Sequence, residues 1–250
     1  MLNIVIPMAG VGSRFVNAGY QKPKPFIDVA GKPMIVRVLE NLSSVDANFI
    51  LIARAEHLAA EKDLVRQIEG DYRVKFISID SLTEGTACTL LFARKLISNQ
   101  HPVLIANSDQ IVDLNIKDFV DDAKHRGLDG SILTFIDNER NPKWSFVKIN
   151  SEGNVIEVRE KVAISNFATV GIYYFAEGQI LVDSIIEMII KNDRVNGEFY
   201  TCPVYNLLIK SNKTIGIFNI EKASMHGIGT PEDLNEYIFS CLSNKARSKL

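Results

Sequence analysis

The chain has 250 residues, 46% of them hydrophobic, and a formal net charge of -2. That size suits one α/β domain with a full core, and so mild a charge gives no general grip on nucleic acid, which needs a basic face. Cys88, Cys202 and Cys241 share no CxxC or zinc spacing and read as buried free thiols. No apolar run approaches the roughly 18 residues of a membrane span, and no basic leader opens the chain. A cytoplasmic protein without membrane insertion is therefore expected.

Taken in order, Ile4-Val5-Ile6 reads as a buried strand. It breaks into Ala9-Gly10-Val11-Gly12-Ser13-Arg14, a glycine-bracketed loop ending in a cation, and Pro23-Lys24-Pro25 follows. Pro33 suits a first helical position, after which Met34, Ile35, Val38, Leu39 and Leu42 share a face. Residues 49–52, 74–77 and 103–106 are short strands of the buried type, and Ala87, Leu90, Leu91 and Ile97 form a second helical stripe. This alternation predicts a largely parallel sheet with helices on both faces. Residues 131–136, 144–149, 154–158 and 168–176 then read as strands of an antiparallel or mixed extension. Helices are expected at 179–191 and 198–211, a strand at 214–220, and a last helix opening at Thr230-Pro231-Glu232-Asp233. Lys245 to Lys249 read as a solvated helix end.

The opening segment carries the chemistry. Glycines let backbone N–H groups cradle phosphate oxygens, an arginine offers a fork of donors, and a lysine fixed between prolines adds a point charge. A dinucleotide fingerprint needs a third glycine where Phe15 stands, and an acid where Ala53-Arg54 ends the second strand. A Walker loop needs Gly-Lys-Ser/Thr, which does not occur. A plain strand-to-helix turn with an unrelated Arg14 remains the competing reading.

Ala9 to Phe15, Pro23-Lys24-Pro25 and Gly31-Lys32-Pro33-Met34-Ile35 together resemble the opening of the sugar-phosphate nucleotidylyltransferases. The resemblance implies a Rossmann-like (GT-A-type) α/β fold with a mixed, mostly parallel central sheet. It implies one nucleotidyltransferase domain over 1–250 with an acceptor-binding part at about 131–220, and no appended domain. Ala9, Gly10, Gly12, Ser13 and Arg14 would hold the triphosphate, with Lys24 at the α-phosphate. Gly85 and Thr86 would meet the base, and Asp109, after the strand at 103–106, would bind Mg²⁺. Glu160, Lys161, Gly171 and Glu198 would hold the phosphorylated acceptor, making Arg14, Lys24, Asp109 and Lys161 the catalytic set. Two positions depart from the pattern: Gly227 stands where relatives often carry a second metal-binding aspartate, and Trp144-Ser145 where many carry Tyr-Gly.

The implied activity joins an NTP to a phosphorylated sugar and releases pyrophosphate, in the service of surface polysaccharide synthesis. Three alternatives stay open: a cytidylyltransferase for a non-sugar phospho-acceptor, a GT-A glycosyltransferase, and a non-catalytic nucleotide-binding subunit. The base, the acceptor and any homo-oligomer are left open as well.

Overall fold

A computed structural model describes residues 1–247. The chain runs β1 (Leu2–Pro7), α1 (Ser13–Asn17), β2 (Asp28–Val29), β3 (Lys32–Pro33), α2 (Met34–Leu42), β4 (Ala47–Arg54), α3 (Ala55–Ala60) and α4 (Lys62–Asp71). It continues through β5 (Val74–Ile79), α5 (Thr86–Leu90), α6 (Arg94–Ile97), β6 (Val103–Ala106), β7 (Gln110–Val112), α7 (Ile116–His125), β8 (Gly130–Ile136), β9 (Phe146–Ile149) and β10 (Val155–Arg159). It closes with β11 (Phe167–Phe175), α8 (Gly178–Ile190), α9 (Val204–Lys210), β12 (Ile215–Ile220), β13 (Met225–Gly227) and α10 (Pro231–Arg247). The reading of Lys245 to Lys249 as a solvated end falls outside the described side chains. No helix among the described residues is long and apolar enough to cross a membrane.

The sheet is mixed and Rossmann-like. β6, β1, β4 and β5 are parallel neighbours. Antiparallel β11 joins β6 to β8, whose far edge takes parallel β12. Strand alternation divides two cores between its faces. Ile4, Ile6, Leu51 and Leu104 pack with Ile35 and Leu39 of α2 and Phe119 of α7. Val5, Ile50, Ile52 and Ile105 pack with Leu90 of α5, Leu181 of α8 and Tyr205 of α9. A third cluster, Phe15, Ile27, Val29, Met34, Ile228 and Leu234, fixes α1 and the start of α10 beside the carboxyl ends of the parallel strands.

Three expected elements differ. Pro33 lies in the short β2–β3 hairpin and precedes the helix, which starts at Met34. The stripe from Ala87 to Ile97 is α5 and α6 separated by a 3-10 turn at Leu91–Ala93. Of the helix expected over 198–211 only Val204–Lys210 is helical, because backbone groups of Phe199 bond instead to Glu84 and Ala87.

Candidate functional site

A break in the sheet makes the cavity. β11 pairs β6 through Ile172–Phe175 and β9 through Phe167 and Ala168, while its register with β8 shifts between Thr169 and Tyr173. Gly171 sits in this bulge at φ 93°. Its carbonyl accepts from Asn107 N at 3.2 Å, and the Asn107 amide fills the space a Cβ would need. Only glycine fits there. The gap opens at the carboxyl end of β6, the usual ligand position of an open α/β sheet. It forms a cavity of about 410 Å³.

Gly10, Gly12, Lys24 and Thr86 line one side. Gly12 caps α1 at φ 66°, and a Cβ on it would meet Lys24 Cβ at 2.9 Å, so the lysine stem passes where a side chain would stand. Lys24 opens a 3-10 turn whose Pro25 and Phe26 are buried, which aims its ammonium inward. There it forms an ion pair with Asp109, both side chains about four-fifths buried. A Cβ on Gly229 would meet Asp109 Oδ2 at 2.5 Å, so that glycine makes room for the carboxylate. Ala9 is buried behind the loop. Ser13 and Arg14 are exposed on α1 outside the lining, and Gly85 lies behind Thr86 at the N-cap of α5.

The other side carries Lys143, Trp144, Ser145, Glu160, Gly171 and Tyr200. Lys161 is exposed outside the lining, adopts φ 56° and donates from Nζ to Tyr200 Oη at 2.9 Å, with Nζ 4.6 Å from the ring centre. That contact raises its pKa. Glu198 is exposed on a tight turn with Val195 and lies outside the lining. Burial holds the thiol of Cys202 and the phenol of Tyr173, which form the rear wall, well above their ordinary pKa values. The loop bearing Trp144 is anchored at fully buried Asp137, which accepts from Lys222 Nζ at 2.9 Å and Asn141 N at 2.8 Å. Lys143, Tyr200, Thr201 and Asn107 were not singled out as site residues from sequence. In sequence Tyr200 is marked only by standing two residues after Glu198, and Thr201 carries no signal.

Glu160 is mostly buried, and its Oε2 accepts from Ser145 Oγ at 2.5 Å. Burial raises its pKa against the opposing pull of Ser145 and Lys161. The folded protein therefore binds more protons than the unfolded chain between the ordinary carboxylate range and the raised value. Stability is lost as pH rises through that window. Glu160→Gln is expected to melt with wild type near pH ~4 and above it near pH ~7. Melting curves at the two pH values check this, and equal curves at both would refute the burial argument.

Asp109 is the one cavity-lining carboxylate on the nucleotide side, and no group of three His, Cys, Asp or Glu residues able to hold a metal occurs among the described residues. Gly227 pairs with Gln110 across β13 and β7, and the nearest atom a Cβ there would meet is Asp233 Oδ2 at 3.8 Å.

The family model described as nucleotidyl transferase matches residues 4–207. The bifunctional protein GlmU of Methanococcus aeolicus is 27% identical over the whole chain, which spans 57% of that protein. The mannose-1-phosphate guanylyltransferase catalytic subunit beta of Dictyostelium discoideum is 27% identical over 70% of this chain and 49% of its own. The chain thus spans about half the length of these curated relatives. The structure of a nucleoside-diphosphate-sugar pyrophosphorylase from Vibrio cholerae superposes with a TM-score of 0.77 at 24% identity, covering 94% of this chain and 99% of that one.

Proposed function

Because the chain belongs to the nucleotidyl transferase family, we propose that it transfers a nucleotidyl group from an NTP to a phosphorylated sugar and releases pyrophosphate. The observation that carries this reading is the Lys24–Asp109 pair held between Gly12 and Gly229 at the mouth of the sheet. One side of that pair lies against a glycine loop suited to phosphates, and the other opens on a cavity whose polar groups, Ser145, Glu160 and Tyr200 among them, suit a small acceptor.

The mechanism is in-line displacement at the α-phosphorus. A phosphate monoester dianion is already nucleophilic, so positioning and charge stabilisation suffice. Gly10 and Gly12 present backbone to the triphosphate, Lys24 offsets charge growing at the α-phosphate and the leaving pyrophosphate, and Arg14 reaches over from α1. Lys161 holds the acceptor phosphate, and Glu160 accepts from acceptor hydroxyls. Mg²⁺ fits Asp109, since this ion commonly takes one or two carboxylates and fills its remaining positions with water and phosphate oxygens. It would neutralise phosphate charge there. We assign the work to the cytoplasm, where NTPs are held, and its product to surface polysaccharide synthesis.

The deciding experiment is a matrix of four NTPs against hexose 1-phosphates, amino-sugar phosphates and phosphocholine, with pyrophosphate as readout. Release with one sugar phosphate and one NTP is expected. Release with phosphocholine alone would point to a non-sugar acceptor, and no release in any cell would overturn transfer.

A further inference from the structure

The nucleotide-side loop and the acceptor-side wall are bonded to each other by a seam outside the catalytic set. Phe199 N donates to Glu84 O at 2.7 Å, and Ala87 N donates to Phe199 O at 3.0 Å. Thr201 Oγ1 meets Thr86 Oγ1 at 3.1 Å, and both threonines line the cavity. Gly85 allows the approach, because a Cβ there would lie 2.6 Å from Phe199 N.

One side chain closes the outer edge of this seam. Arg194 gives Nη2 to Glu84 Oε2 at 2.7 Å, Nη1 to Gly197 O at 2.9 Å and Nε to Asn192 Oδ1 at 2.6 Å. Its guanidinium carbon lies 4.1 Å from the Phe199 ring centre. A planar fork spent on three acceptors and a ring face holds a single geometry, which a lysine cannot copy. The Glu84 carboxylate is 67% exposed, so the ion pair adds little to global stability. Its effect is local, on the distance between two loops that face one cavity.

We propose that Arg194 is a positioning residue that clasps the Thr83–Ala87 loop to the Phe199–Cys202 wall, so that the nucleotide and acceptor half-sites are held at one spacing. The inference rests on the transfer reading above. Opening the clasp weakens capture of both substrates while leaving the displacement step itself in place.

The test compares Arg194→Met, which keeps an unbranched stem but removes the guanidinium, with Arg194→Lys, Glu84→Gln and the Met/Gln double variant. Arg194→Met is expected to raise KM for NTP and for acceptor about 5- to 10-fold with kcat within about 2-fold. Arg194→Lys should restore part of the loss, and the double variant should match Arg194→Met. Unchanged KM values, or additive effects in the double variant, would overturn the clasp. Amide hydrogen exchange supplies a readout free of turnover: Ala87 and Phe199 should exchange at least about 10-fold faster in Arg194→Met, with Ile4 to Ile6 unchanged. Unchanged exchange at the seam overturns the clasp even in a protein that releases no pyrophosphate, whereas inactive wild type with a loosened seam overturns only the transfer reading.

Discussion

Lys24→Ala lowers turnover by a factor of about 10²–10³ and leaves the protein folded. The ammonium is the cation that the Pro23-Lys24-Pro25 turn delivers to the cavity, and its stem passes so close to Gly12 that a Cβ on that glycine would lie 2.9 Å from Lys24 Cβ. Its loss removes charge stabilisation that acts mainly as pyrophosphate departs, so kcat falls further than KM rises. The fold survives because Asp109, its partner, keeps about a quarter of its side-chain surface open to water and so is not stranded as a buried charge. Pyrophosphate release with the preferred substrate pair, beside a melting curve, checks both halves. Near-normal kcat in a folded variant would remove Lys24 from the chemistry.

Gly85→Ala should have a large effect on stability. Gly85 sits at φ 124° and ψ 171°, a conformation nearly confined to glycine. The added methyl would also lie 2.6 Å from Phe199 N and closer still to its carbonyl oxygen. These neighbours are backbone, so relief requires the seam to part. Strain and overpacking together are expected to cost about 3–5 kcal/mol. Urea unfolding measures it, and a change below about 1 kcal/mol would contradict the close approach. A partly folded Gly85→Ala protein should also lose nucleotide binding, because Thr86 moves with the loop.

The opening strand, its glycine loop and the proline-bracketed lysine were legible because they are local. Each residue type there has one economical use, and neighbours in sequence are neighbours in space. Asp109 was legible as an acid closing a buried strand. Its pairing with Lys24 was not, since 85 residues separate them and only the sheet order joins them. Tyr200 and Thr201 were hidden for a related reason. Their stretch runs into the hydrophobic pattern of a true helix, and what stops that helix from starting earlier is a set of bonds to Glu84 and Ala87, more than 110 residues away. α7 lies outside the expected elements, although Asn115 caps it by accepting from Lys117 N and Asp118 sits in its first turn, a start signal that sequence carries by itself.

The split in the sheet at Gly171 divides the cavity into a part that can be redesigned and a part that cannot. The floor, Asn107 to Asp109 just past β6 against Thr169 to Gly171 of β11, sits where β11 links the parallel strands to β8, so a change at Asn107 or Gly171 is felt as lost folding. On the opposite bank Lys143 is exposed on a loop anchored at Asp137, whereas Trp144 packs edge-on against buried Phe135 and Ser145 O accepts from Thr169 N at 2.8 Å. Libraries randomised at exposed Lys143 should therefore yield altered acceptor choice at small cost in folded yield, and the same diversity placed at Asn107 or Gly171 should yield mostly insoluble protein.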